Sequence, residues 1–430
     1  MIKTKAVAGA LLGILVACGG SGDSGTSPTN RKPTLSFTFK PIAVPAGNPV
    51  NLTVSAKDDD GDPLTVTWSI TRGALTAQNS SKTIMRWATP ATVGTDTVTV
   101  KASDGTATTT ITAEVKVGTL TSVMKGLFKK SESPYILSAS GTPPVMVVFD
   151  TSVIEPGTEL YMSTPGGYIQ VEGELDAIGT VDAPITFKSN DRTVDCATGR
   201  GWWEGIRTMA PGIVNLEYVQ IWFAKYGVRL REASYGTLRD CRIECSATAG
   251  VSIEGNGWLQ VFDTLIADGV SDGISVGGPN VSSTSTPDSV RVEGCTIQLN
   301  GGVGIRMDLD DGAQSAQIFV NHNDIKFNSS HGISLARSVF PQIHYNTFLG
   351  NGAETVSNLF LQGGYPGTVI YPTLDATCNF WGTVTTSQAD IDLSIRDSLD
   401  TSTVKTRVTS CPWLDGSPIT GTPSCTCPAP

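Results

Sequence analysis

Few residues in this chain could carry chemistry, and they fall into three groups. The run Asp58-Asp59-Asp60-Gly61-Asp62 crowds four carboxylates into five positions, the hard oxygen set that suits calcium. It does not fit an EF-hand loop. With Gly61 as the sixth position, Ala56 would be first and Thr67 twelfth, and neither is a proper ligand. The other reading is a solvated turn whose aspartates accept hydrogen bonds from backbone amides. The second group is aromatic: Trp222 and Phe223, with Tyr226 close by and Trp202 some twenty positions earlier. Such rings can stack on sugar faces, or pack beneath a loop or a neighbouring domain. The third group is Cys378, Cys411, Cys425 and Cys427. The last three sit in a Pro/Gly/Thr-rich tail with too little core of its own, which predicts disulfides of open connectivity. Zinc is the poorer reading, because the usual finger spacing is missing.

Other chemistries have less support. There is no Gly-x-Ser-x-Gly elbow for a nucleophilic triad, and the chain holds only three histidines. A formal net charge of -10, with no basic cluster tied to aromatics, argues against nucleic acid as a partner.

The elements that must position these groups are written in a repeat. Leu216-Glu-Tyr-Val219-Gln-Ile221, Leu238-Arg-Asp-Cys241-Arg-Ile243, Val261-Phe-Asp-Thr264-Leu-Ile266, Val292-Glu-Gly-Cys295-Thr-Ile297, Val320-Asn-His-Asn323-Asp-Ile325 and Ile343-His-Tyr-Asn346-Thr-Phe348 align as one phrase. A second phrase follows most copies: Gly227-Val-Arg-Leu230, Gly250-Val-Ser-Ile253, Gly273-Ile-Ser-Val276, Gly304-Ile-Arg-Met307 and Gly332-Ile-Ser-Leu335. Apolar and polar residues alternate over short runs between Gly, Asn, Asp and Ser, so the units are strands. Repeats of this length stack into a solenoid. The compact residue at positions 241, 264, 295, 323 and 346 is expected to point inward, the asparagines bonding along their column and the cysteines acting as small core residues. The glycine before each second strand is expected to supply a turn conformation closed to other residues.

This pattern resembles the right-handed parallel β-helix of the pectin-lyase-like superfamily. Val153-Ile-Glu-Pro-Gly-Thr158, Ile169 to Thr180, Ala183-Pro-Ile-Thr-Phe187 and Trp203-Glu-Gly-Ile206 resemble the opening coils of bacterial surface β-helix proteins, and Asn379-Phe-Trp-Gly382 a frequent closing phrase. About ten coils at strand spacing would make a rod on the order of 50 Å long.

Upstream, Met1 to Lys5 is positively charged, Ala6 to Val16 is apolar but too short to span a bilayer, and Leu15-Val-Ala-Cys18 looks like a bacterial lipobox. That resemblance implies a lipid on Cys18, anchorage to a membrane face, and an outer-membrane or cell-surface address. Four spaced strands between Pro33 and Val117, with the aspartate turn and a following Trp68 strand, are similar to bacterial Ig-like, PKD-like and cadherin-like modules. The predicted division is therefore 1–18 lipoprotein signal peptide, 19–32 flexible linker, 33–117 Ig-like β-sandwich, 118–133 linker and cap, 134–410 right-handed parallel β-helix, and 411–430 Cys/Pro-rich tail. Leu120, Met124, Leu127 and Phe128 would share one face of a helix, which predicts a helical lid over Thr119 to Lys130. The fold class is all-β.

Many pectin-lyase-like proteins depolymerise acidic polysaccharides. Asp310-Asp311 and His331-Gly332 are similar in separation to polygalacturonase motifs, but the flanking Asn-Thr-Asp and Arg-x-Lys are missing, and inverting hydrolysis needs a defined gap between carboxylates. Asp263, Asp268 and Asp272 with Arg291 or Arg306, which a calcium-dependent lyase would use, are scattered singly. The expectation is a non-catalytic surface lipoprotein for adhesion or glycan binding, with the membrane as one partner and a polysaccharide or another surface protein as the other. A polysaccharide-cleaving enzyme and a structural envelope component are the alternatives.

Overall fold

The computed structural model describes residues 29–277, 289–308, 317–336, 341–352, 358–362, 374–382, 391–392, 395–396, 408–410, 413–414 and 425–426. Cys18, the lipobox and most of the linker, the insertions at 278–288 and 309–316, and Cys411 and Cys427 lie outside the described residues.

The first domain is a β-sandwich. One sheet joins Thr34–Phe37, Val50–Lys57, Ile84–Ala88 and Ala74–Ala77, and the other joins Thr65–Ile70, Gly94–Ser103 and Thr108–Thr121. All of these pairs are antiparallel. Alternation does the sorting: in Gly94–Ser103 every second side chain is buried, as a half-covered strand requires. Leu52, Trp87, Val98, Val100 and Val117 form its core. Trp87 donates its indole N–H to the Arg72 carbonyl at 2.9 Å, so the buried ring leaves no polar atom unpaired.

From Thr119 to Thr409 the described strands pair in parallel, and each coil contributes one strand to each of three sheets. In the first sheet Gln220 pairs with Arg242, Arg242 with Leu265 and Leu265 with Thr296, steps of 22, 23 and 31 residues. The longest step spans 278–288. The corner between the third and first sheets is a single left-handed residue, Tyr218, Asp240, Asp263, Gly294, His322 and Tyr345 in successive coils, with φ between 49° and 69°. The interior is one continuous apolar column, including Ile206, Leu238, Val261, Ile297, Ile325 and Phe348. Burial of such stacked Val, Ile and Leu side chains is the main stabilising term, at roughly 25 cal/mol per Å².

The expected asparagine column is present. Asn323 donates to Asn346 Oδ1 at 2.9 Å, and Asn346 to Asn379 Oδ1 at 3.0 Å. Cys241 and Cys295 stand in the same column as buried free thiols. A second ladder runs through Asn300, Asn328 and Asn351 at 2.9 Å per step. The repeat glycines require a correction. Gly227, Gly250, Gly273, Gly304 and Gly332 are not in the left-handed region; they are needed for space. A Cβ on Gly273 would lie 2.6 Å from Ile297 Cγ2 and 2.7 Å from the Gly304 carbonyl.

The helical lid is also corrected. Thr119 to Lys130 holds the end of strand Thr108–Thr121 and the strand Gly126–Phe128, which open the first and third sheets. Met124 and Phe128 face the core while Leu120 and Leu127 stay exposed. A β-branched run already paired in a sheet, followed by Gly126 at φ +74°, favours continued extension over a helix. The rod therefore begins before Pro134. One strand, Thr108–Thr121, belongs to both domains: residues 108–117 pair with the sandwich and 119–121 with Tyr135–Leu137.

Further contacts fix the joint. Ala43, Ile136 and Tyr161 make a small shared core. Lys116 Nζ bonds Glu159 at 2.6 Å and the Tyr161 hydroxyl at 3.1 Å. Arg192 donates to the Pro41 carbonyl at 2.6 Å.

Candidate functional site

The second sheet begins with Val145–Val148, Tyr168–Val171, Gly205–Thr208 and Tyr226–Arg231. Its register places Gln170, Arg207, Arg229, Ser252, Ser275 and Arg306 in one row. Parallel in-register stacking puts like positions one strand spacing apart. A row of this kind is a ready-made surface for a repeating ligand.

At the start of this row is a cleft of about 160 Å³ lined by Pro143, Gly166, Tyr168, Glu204, Arg207, Tyr226 and Arg229. Two arginines stack on two tyrosines: the Arg207 guanidinium carbon lies 4.4 Å from the Tyr168 ring centre, and Arg229 lies 4.4 Å from that of Tyr226. Their charges are handled differently. Arg229 forks onto Glu254 at 2.9 and 2.6 Å. Glu204 takes Lys225 at 3.1 Å. Among the described residues Arg207 meets only neutral partners, Gln170 Oε1 at 2.5 Å and the Tyr168 hydroxyl at 3.3 Å, and its Nε is buried without an acceptor. A buried donor left unpaired costs about 1–3 kcal/mol and is closed to a ligand, so what Arg207 offers the cleft is a guanidinium charge that no carboxylate among the described residues offsets.

Of the aromatic candidates, only Tyr226 reaches the cleft. Trp202 packs half-buried against the rod's core. Trp222 is half-buried, with the Arg242 guanidinium 5.4 Å from its ring, and its carbonyl accepts the Trp203 indole N–H at 2.8 Å. Phe223 is buried beneath Lys188, whose ammonium lies 5.4 Å away. Burial holds that lysine below its ordinary pKa, and the charge of Lys116 adds to the effect. These rings are fastened from several sides.

Two aromatics that the sequence reading passed over are open. Tyr235 and Trp258 are direct neighbours in the third sheet, with rings at 85° and centres 5.6 Å apart. They are 38 and 51% exposed. They fall at the same point of successive coils, three residues before Leu238 and Val261, a signal the sequence did hold.

The acidic candidates do not converge. In the sandwich turn, Asp58 Oδ1 accepts the amides of Asp60 and Asp62 at 2.9 and 3.2 Å. Asp59 pairs with Lys57, and Asp60 accepts the Arg31 amide, each at 2.6 Å. Among the described residues, no group of three or more His, Cys, Asp or Glu is placed to hold a metal. Asp272 is committed to Arg306 at 2.6 and 3.0 Å and to the Val303 amide at 2.9 Å. Asp263 and Asp268 sit at corners with φ of 49° and 57°, apart from it, while Arg291 pairs with Glu293 at 2.9 Å. Asp310 and Asp311 lie outside the described residues; His331 stacks on Phe360 at 4.1 Å.

Among the cysteines, Cys378 is disulfide-bonded. The strand Cys425–Thr426 pairs with Trp413–Leu414. A second disulfide, Cys196–Cys245, had no signal in the repeat, because Cys196 sits in a loop that leaves it.

The family description "Right handed beta helix region" matches residues 204–364, and "Bacterial Ig domain" matches 30–118. The chain carries a bacterial Ig domain followed by a right-handed parallel β-helix. No curated protein and no solved structure matches it. This pair of domains fits a surface or carbohydrate-interacting protein.

Proposed function

We propose that the protein is a non-catalytic, lipid-anchored surface protein that binds glycan along its β-helix. The observation that carries this reading is the cleft at Arg207, where one guanidinium free of any carboxylate stands between two tyrosines at the start of a polar row. Tyrosine rings and planar donors are the usual means of gripping a sugar. The alternative of cleavage lacks a convergent set of carboxylates among the described residues. A net charge of -10 would repel a dense polyanion, whereas one unpaired arginine suits a mainly neutral chain with occasional carboxylates. Affinity electrophoresis against glucuronoxylan, mannan and pectate tests the reading. Glucuronoxylan should retard the wild type and not Arg207→Gln. Equal mobility in every gel would end it, and reducing ends released from any of the three would turn it toward an enzyme. The anchor is tested separately: palmitate labelling should disappear in Cys18→Ser.

A further inference from the structure

We infer that Tyr235 and Trp258 form a second saccharide subsite, one corner of the rod away from the Arg207 cleft and continuous with it. The inference rests on the glycan-binding reading of that cleft.

The two sites share coils. Tyr226–Arg231 and Ala249–Glu254 run in the second sheet, and Ser234–Arg239 and Gly257–Phe262, which follow them directly, run in the third. The corner between consists of Glu232 and Ala233 in one coil and Gly255 and Asn256 in the next. Glu254, which holds Arg229 in the cleft wall, is thus four residues from Trp258. Past Glu232 and Ala233, the corner leads into the strand that carries Tyr235.

The surface there has the chemistry of a sugar site. The rings meet edge to face at 85°, so they present two walls at right angles, and among the described residues neither is covered by a cation as Trp222 is. Two positions further along the strands, the register aligns Asn215, Thr237 and Gln260. Apolar rings beside neutral amides and a hydroxyl match a pyranose, which has C–H faces and a rim of hydroxyls. Single exposed hydrophobics need no explanation, but two aromatics in contact at equivalent positions form a patch.

The test uses the full chain and two probes: a xylo-oligosaccharide heptasaccharide with one glucuronic acid branch, and the branched disaccharide unit alone. The wild type should bind the heptasaccharide roughly tenfold more tightly than the disaccharide, as expected for one or two ring contacts. Trp258→Ala and Tyr235→Ala should remove most of that gain and leave disaccharide affinity unchanged, while Trp258→Phe keeps much of it. Both positions are exposed, and unchanged melting curves show that the variants fold. If the wild type binds both probes and Trp258→Ala keeps the full gain, the second subsite is overturned and the cleft stands. If the wild type binds neither, the glycan reading and this inference fall together.

Discussion

Asn190, in the rod, hydrogen-bonds both backbone groups of Ala43, in the Ig domain, 147 residues earlier: it accepts from the Ala43 amide at 2.8 Å and donates to its carbonyl at 3.0 Å. Ala43 is almost fully buried, so neither backbone group has water as a substitute. Asn190→Ala should destabilise the protein by about 2–6 kcal/mol, at one to three for each orphaned group. Thermal melting followed by circular dichroism checks this, and the loss should be common to both domains. A change confined to one transition would show that the domains unfold separately.

The asparagine column makes a steeper demand. Asn346 bonds Asn323, Asn379 and the Val320 carbonyl. Replacing it by leucine keeps bulk but strands several buried groups at once. The expected cost is at least about 3 kcal/mol, read as a shift in the urea midpoint. An unchanged midpoint would mean that the ladder is ornamental.

Gly273→Ala tests whether space or conformation selects the repeat glycine. Its backbone is open to alanine, but the added carbon meets Ile297 and the next coil's carbonyl. Overpacking of this kind costs typically about 1–3 kcal/mol. A neutral or stabilising result, the usual outcome where glycine merely adds flexibility, would reverse the assignment.

Burial pushes the thiols of Cys241 and Cys295 up to about 12, from an ordinary value of 9.0. Two outcomes follow. Neither thiol should react with iodoacetamide in the native protein at neutral pH, whereas both should after unfolding. Below pH 9 the thiols are neutral in both states, and their contribution to stability is intact. Between about pH 9 and 12 the unfolded thiols ionise and the buried ones do not, so stability should fall as pH rises. Cys241→Ala with Cys295→Ala should flatten that part of the profile.

Asp58 through Oδ1, Asp59 and Asp60 have amide or lysine partners, and Asp58 Oδ2 alone is buried without one, too few open oxygens for calcium, which takes about six to eight. Adding calcium or a chelator should therefore leave the melting temperature unchanged. A rise with calcium would show a site that this conformation does not display.

The repeating coils were legible in the sequence because each side chain keeps its rung. Inward positions such as 241, 295 and 323 can be read from type and spacing alone. Thr119 to Lys130 departs from the expected helix because four apolar residues at near-helical spacing also suit a strand, a corner and a second strand. Only the neighbouring sheet decides between them. The cleft stayed hidden for another reason: Tyr168 and Arg207 belong to early coils whose wording differs from the later repeat, and they meet only through register. Tyr235 and Trp258 were within reach, one coil apart at the same position, but Trp222 stood out more in its phrase. Its ring proved to be partly covered by Arg242.

The strand Thr108–Thr121 leaves the molecule without a hinge where its two halves meet. Whatever force is applied near residue 29 passes into the first rungs of the column through a ladder loaded lengthwise, with no loop to swivel on. The β-helix would turn with the Ig domain as one body, each rung held at a constant bearing to it.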